Sequence, residues 1–229
     1  MSETVPLDLS VDRVRVFLDG EIVGSLTLSP AKTVAFSYES SWLSSGFSIS
    51  PLSLPLREGV FVAKRDPLHG LFGVFDDSMP DGWGRLLTDR LLRQRGIDPY
   101  SIGTLTRLSI VGSSGMGALE YEPAAVIENS VAATDLDDIA RECANLLETD
   151  FSEDLDQLFA LGGSSGGARP KILTEVDGEE WIIKFPSSVD SANIGEQEYQ
   201  ISVLARECGI DMPETRLFAS AQCSGYLDR

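Results

Sequence analysis

Lys184 stands inside an apolar run, Trp181-Ile182-Ile183-Lys184-Phe185, and Glu198 follows fourteen residues later in a helix-like segment. Ahead of both lies a loop of small residues, Gly162-Gly163-Ser164-Ser165-Gly166-Gly167-Ala168, which runs into Arg169-Pro170-Lys171. Small residues leave backbone N–H groups open to cradle anionic oxygens. A strand lysine can reach the same oxygens, and a helix acid can hold that lysine in place. The candidate phosphate site therefore comprises this loop, together with Lys184 and Glu198. Each part alone has a plainer explanation. A lysine in an apolar strand can be an edge residue whose ammonium reaches water, and a helix glutamate can simply be solvated.

The elements that must position these residues are readable around them. Ile172-Leu173-Thr174 and the Lys184 run read as two strands joined by an Asp177-Gly178 turn. From Glu196 to Cys208, Tyr199, Val203 and Leu204 recur at helical spacing, with Gly209 just past the end. Thr215-Arg216-Leu217-Phe218-Ala219 and Cys223-Ser224-Gly225-Tyr226-Leu227 read as an antiparallel pair. Upstream, ten acids and one base, Arg141, lie between Glu128 and Asp156. Two short amphipathic helices fit there. Thr134 can cap the first, with Leu136, Ile139, Ala140 and Cys143 inward, and Ser152 can cap the second, with Leu155, Leu158 and Phe159 inward. The acids are either a solvated face or a surface for a basic partner.

The opening third is β-rich. Val14–Leu18 and Ile22–Leu26 flank Asp19-Gly20, a strong hairpin signal, and Val34–Tyr38 and Val60–Ala63 read as further strands. The Ser- and Pro-rich residues 44–55 read as a loop with short extended pieces. Asp81 can cap a helix that buries Trp83, Leu86, Leu87 and Leu91 and ends at Gly96. Arg85, Arg90, Arg93 and Arg95 on this helix are a contact surface for acidic groups or a solvated face. A second Gly/Ser loop, 112–118, is followed by Leu119-Glu120-Tyr121-Glu122-Pro123, where acids would repel phosphate, so it reads as structural. The 123–133 stretch reads as a junction, which divides the chain into domains at 1–125 and 126–229.

Composition bounds the function. A net charge of −18 over 229 residues opposes direct binding to nucleic acid or anionic membranes, both polyanions. Cys143, Cys208 and Cys223 are widely spaced and odd in number, and His69 is the single histidine, so no metal site is expected and the thiols read as buried and reduced. Residues 1–12 carry no secretory signal pattern, and no apolar run is long enough to span a bilayer. A cytoplasmic protein is expected.

The second half runs loop, strand, turn, lysine strand, glutamate helix, strand, strand, which is the order of parts in the N-terminal lobe of a protein kinase. The chain further resembles the HipA family of bacterial serine/threonine kinases, the toxins of type II toxin–antitoxin pairs. Four stretches carry the resemblance: Ser78-Met79-Pro80-Asp81-Gly82-Trp83-Gly84-Arg85; Gly115-Met116-Gly117-Ala118-Leu119; Ser165-Gly166-Gly167-Ala168-Arg169-Pro170-Lys171 with Trp181-Ile182-Ile183-Lys184-Phe185-Pro186; and Glu198 with Leu204-Ala205-Arg206-Glu207-Cys208-Gly209-Ile210. It extends over residues 13–229.

The resemblance implies an α+β fold, a β-rich N-terminal domain followed by a kinase-like N-lobe. It implies that 164–171 forms the phosphate loop, that Lys184 contacts the phosphates of ATP, and that Glu198 is its ion-pair partner. Ser164, with Ser165 as competitor, occupies the place of a loop serine whose phosphorylation silences the kinase; the added charge would repel ATP. Leu227-Asp228-Arg229 stands where the family has Phe-Asp-Arg at the hinge between lobes. The aspartate that orients the attacking hydroxyl, the asparagine and the Mg²⁺-binding aspartate of the C-terminal lobe have no counterpart here. A general base alone is worth about 10²–10⁴ in rate, so this chain by itself is expected not to transfer phosphate.

The full protein would pass the γ-phosphate of ATP–Mg²⁺ to a serine or threonine of a protein substrate. Its partner would be an antitoxin with a helix-turn-helix, through which DNA is reached indirectly. The alternative is a catalytically dead binding module that pairs with an antitoxin or a separately encoded kinase lobe. A two-domain structural protein with no nucleotide site is the third possibility.

Overall fold

The computed structural model describes residues 10–68, 70–115, 117–124, 136–149, 152, 155–176, 178–191, 193–218 and 225–228. Expectations resting on His69, Met116, the 125–133 part of the junction, the Thr134 cap, Asp177, Cys223 and Arg229 lie outside these residues. The chain divides into two compact units, Met1–Pro80 with Asp98–Ile127 and Asp81–Ile97 with Glu128–Arg229.

In the first unit, β1 (Arg13–Leu18) and β2 (Glu21–Leu28) form the expected hairpin. Its turn puts Asp19 at φ 50 and Gly20 at φ 77. Both central residues are left-handed, as the twist of a two-residue hairpin requires, and Asp and Gly accept that region at least cost. The unit continues with β3 (Val34–Tyr38), α1 (Ser40–Ser45), β4 (Phe61–Val62) and α2 (Gly73–Asp76). After α3 (Gly82–Gln94), which belongs to the other unit, come α4 (Thr104–Val111) and β5 (Leu119–Glu122). The strands make one antiparallel sheet in the order β4-β3-β2-β1-β5.

Along β1, Val14 and Val16 are fully buried while Arg13 and Arg15 are exposed, the period-two pattern of a half-buried strand. Phe36 and Phe75 meet in the core with ring centroids 5.3 Å apart. Tyr121 is buried on β5, and its Oη donates to Ser78 Oγ at 2.6 Å. Burial pushes the phenol up to about 12. Two elements depart from expectation. Part of the serine-rich stretch is helical in α1, where Ser44 and Ser45 return their hydroxyls to the carbonyls of Ser40 and Ser41. Helix α4 had no anticipated counterpart; it contributes Leu105 and Leu108 to the core.

The second unit contains α3, α5 (Leu136–Thr149), α6 (Leu155–Gly162), β6 (Lys171–Val176), β7 (Glu179–Lys184), α7 (Ile194–Glu207), β8 (Thr215–Phe218) and β9 (Gly225–Asp228). Its antiparallel sheet has the order β6-β7-β9-β8, so β9 inserts between β7 and β8. The fold is α+β. Helix α3 buries Trp83, Leu87 and Leu91 at i, i+4 and i+8, packs on α6 and stops before Gly96 (φ 75). Leu86 is half-buried. Helices α5 and α6 bury Ile139, Cys143, Leu155, Leu158 and Phe159 as their spacing predicts, whereas Leu136 and Ala140 are half-buried and Leu146 is buried in addition.

Helix α7 corrects the expected inward set. Leu204 is 58% exposed, and the buried residues are Gly195 and Ser202, whose small side chains let the helix lie close to its neighbours. Ser202 Oγ and Thr215 Oγ1 hydrogen-bond at 2.6 Å across to β8. Cys143 is buried, whereas Cys208 is exposed against expectation, because it sits at the helix end. Among the described residues no helix is long and apolar enough to cross a membrane.

Candidate functional site

The 162–170 loop leaves the C-terminal end of α6 and enters β6. Ser165 is fully buried; its Oγ donates to the Gly162 carbonyl at 2.6 Å, and its N–H reaches the same oxygen at 3.0 Å. Ser164 is half-buried, and Gly166, Gly167 and Ala168 are exposed. Of the two candidate serines, only Ser164 has access to solvent.

The β6–β7 register places Lys171 directly opposite Lys184. Directly paired residues of an antiparallel ladder project from the same face, so two ammonium groups share one surface. On β7, Trp181 and Ile183 are buried while Ile182 and Lys184 alternate to the other, partly open side. Like charges in direct cross-strand register are destabilising unless other groups take them up. Here several do. Lys171 Nζ donates to the Gly166 carbonyl. Lys184 Nζ lies 3.5 Å from Glu198 Oε2 on α7. Burial, followed by the repulsion of Lys184, lowers the Lys171 ammonium below its ordinary 10.5, and Asp81 opposes that shift.

Glu198 serves two cations. Its Oε1 pairs with Arg169 Nη1, and its Oε2 faces Lys184. Arg169 in turn is gripped by Asp190, with Nε to Oδ2 and Nη2 to Oδ1 both at 3.0 Å. The Ser187 hydroxyl and N–H donate to Asp190 Oδ2 at 2.7 and 2.9 Å. These bonds, ahead of Arg169, hold the Asp190 carboxyl below its ordinary 3.8. Arg169, Lys184, Phe185, Pro186, Ile194, Gly195 and Glu198 line a common cleft.

The structure thus brings Lys171, Lys184 and Glu198 to the mouth of the loop. It adds Arg169 and Asp190, to which the sequence had given no separate role. A surplus of basic residues at adjacent loop and strand positions was the available signal for Arg169; Asp190 carried none. Arg169, Lys171 and Lys184 stand beside exposed glycines and are faced by the carboxylates of Asp190, Asp81 and Glu198, so an anion held here shares these cations with the protein's own acids. The donor set suits phosphate oxygens rather than a divalent cation. Glu198, the carboxylate that lines the cleft, is engaged by Arg169 and Lys184, and Asp190 behind it holds Arg169. Among the described residues no group of three or more His, Cys, Asp or Glu side chains is placed to hold a metal ion.

A further set of contacts reaches the loop from α3. The Asp81 carboxylate accepts the Gly167 N–H and makes no side-chain cap on its own helix, which corrects the expected capping role. The Trp83 N–H donates to the Gly167 carbonyl at 2.8 Å, and Trp83 Nε1 donates to the Lys171 carbonyl at 3.2 Å.

Comparison with known families matches two domains in order. The HipA N-terminal domain matches residues 14–122, and the HipA-like C-terminal domain matches residues 163–227. No curated protein matches the chain. The second match takes in the loop, Lys171, Lys184 and Glu198, and the two together span most of the sequence; the chain belongs to the HipA family of toxin proteins.

Proposed function

We propose that this chain is the N-terminal part of a HipA-like toxin kinase, and that the loop at 164–171, Lys184 and Glu198 hold the phosphates of ATP. One observation carries this reading. Lys184 and Glu198 come from a strand and a helix and meet 3.5 Å apart beside the glycine loop, with Lys171 and Arg169 adding positive charge. A lysine held by a helix glutamate under a glycine loop is the arrangement by which protein kinases orient ATP. In the complete protein the γ-phosphate would pass to a serine or threonine of a protein substrate.

The resemblance assigns the general base and the Mg²⁺-binding aspartate to a C-terminal lobe. On this reading the chain by itself holds ATP–Mg²⁺ weakly and transfers nothing. Phosphorylation of Ser164 would place about −2 charges at the loop and displace ATP, while Ser165 is shielded by its burial. A cytoplasmic antitoxin with a helix-turn-helix would be the partner, and DNA would be reached through it. The acidic character of α5, with Asp137 and Asp138 in its first turn, suits a basic partner.

Two measurements test the reading. Calorimetric titration of this chain with ATP–Mg²⁺ is expected to show weak or no binding, and sub-micromolar affinity would refute the division of labour between lobes. In the protein extended by the kinase lobe, Lys184→Ala should abolish phosphoryl transfer. Unchanged activity in that variant would remove Lys184 from the site.

A further inference from the structure

The residues 78–85 form a motif that the phosphate site does not account for, and its contacts lead back to the loop. Asp81, Gly82 and Trp83 engage both backbone groups of Gly167: Asp81 takes its N–H, and the Trp83 N–H, at 2.8 Å, takes its carbonyl. Trp83 Nε1 then reaches the Lys171 carbonyl at 3.2 Å, so the two ends of the 167–171 segment are tied to one tripeptide. Gly82 lies at φ 44, and a Cβ there would stand 2.2 Å from the Gly167 oxygen and 2.9 Å from Ala168 Cα. Only a residue without a side chain permits that approach. Trp83 is itself fixed, being 1% exposed in the α3 core, whereas Asp81 is exposed and has no role in capping its helix.

We propose that Asp81, Gly82 and Trp83 are positioning residues that clasp the 164–171 loop and hold it in one shape before ligand arrives. The proposal rests on the reading of that loop as a phosphate cradle, and it assigns the motif a task in this unit. A glycine-rich loop is conformationally permissive, and ordering it on binding would cost affinity. The clasp removes part of that cost in advance. It also fixes which groups face the ligand, since the Gly167 N–H is taken by Asp81.

Hydrogen exchange of the intact chain tests the clasp directly. Asp81→Ala should raise exchange of the 163–169 amides about tenfold, the effect of losing one charge-assisted hydrogen bond, and leave β7 and α7 unchanged. Asp81→Asn keeps an acceptor oxygen and should restore part of the protection. Gly82→Ala, which obstructs the approach while retaining the carboxylate, should loosen the same amides. Unchanged loop exchange in both Asp81→Ala and Gly82→Ala would overturn the proposal, as would an increase spread evenly over the unit. Titration with ATP–Mg²⁺ of the protein extended by the kinase lobe keeps the two readings apart. No ATP binding there, beside loss of loop protection in Asp81→Ala, would refute the nucleotide reading and support the clasp.

Discussion

Replacing Glu198 with alanine withdraws one carboxylate from two cations at once, and the structure predicts how unequal the two losses are. Lys184 Nζ lies 3.5 Å from Glu198 Oε2, with the side chains 27% and 26% exposed. The Coulomb attraction at that distance is about 1 kcal/mol in a medium like water and about 5 kcal/mol at an effective dielectric of about 20. Solvent screening and the freedom a lysine loses on pairing reduce it to a net of about 0.5 kcal/mol. Arg169 makes the direct contact with Oε1, and Asp190 already holds its guanidinium through two 3.0 Å contacts. A pre-fixed, charge-assisted bond of that kind contributes about 1.5 kcal/mol. Double-mutant cycles settle the order. Urea unfolding of Arg169→Ala, Lys184→Ala and Glu198→Ala, singly and in pairs, should give an Arg169–Glu198 coupling about 1 kcal/mol larger than the Lys184–Glu198 coupling. A Lys184–Glu198 coupling equal to or above that of Arg169 would refute the assignment of Arg169 as the principal partner of Glu198.

Two further outcomes are expected. The Lys171 ammonium titrates below its ordinary 10.5 in the folded chain, so between the lowered value and 10.5 the unfolded chain binds the extra proton. Stability gained from this group therefore rises as pH climbs through that window, and Lys171→Met should flatten the alkaline limb of a urea-midpoint profile against pH. The buried tryptophans should also differ. Trp83 Nε1 donates to the Lys171 carbonyl, whereas Trp181 Nε1 is buried with no hydrogen-bond partner among the described residues. Trp83→Phe should cost about 1 kcal/mol more unfolding free energy than Trp181→Phe, since the volume lost is the same and only one change breaks a bond.

What the sequence could reveal is what local periodicity encodes. Asp19-Gly20 between alternating strands specified its hairpin, and the apolar spacing from Ile139 to Phe159 specified α5 and α6. The order of strands and helix around Lys184 and Glu198 was legible for the same reason. Contacts between distant side chains and backbone leave no periodic trace. The Asp81 to Gly167 bond joins residues 86 apart, and nothing in the 78–85 motif announces its far partner. Asp81 looked like a helix cap because Asp before an apolar helix commonly is one. Leu204 was misplaced because helical spacing locates an apolar face without saying which line of residues the neighbouring sheet will accept, and here it accepts Gly195 and Ser202.

The placement of α3 has a consequence for how the chain is made. The helix ends at Gln94, and α6, on which it packs, begins at Leu155, about 60 residues later. At about 5–20 residues per second, a ribosome needs about 3–12 s to deliver that partner. The strands of the first unit are complete at Glu122, within this interval. Trp83, Leu87, Leu91 and Leu92 must wait through it without the α6 surface that later covers them. Newborn chains therefore pass through a period with an apolar helix on offer, during which a chaperone or a second chain can compete for the face that α6 will claim.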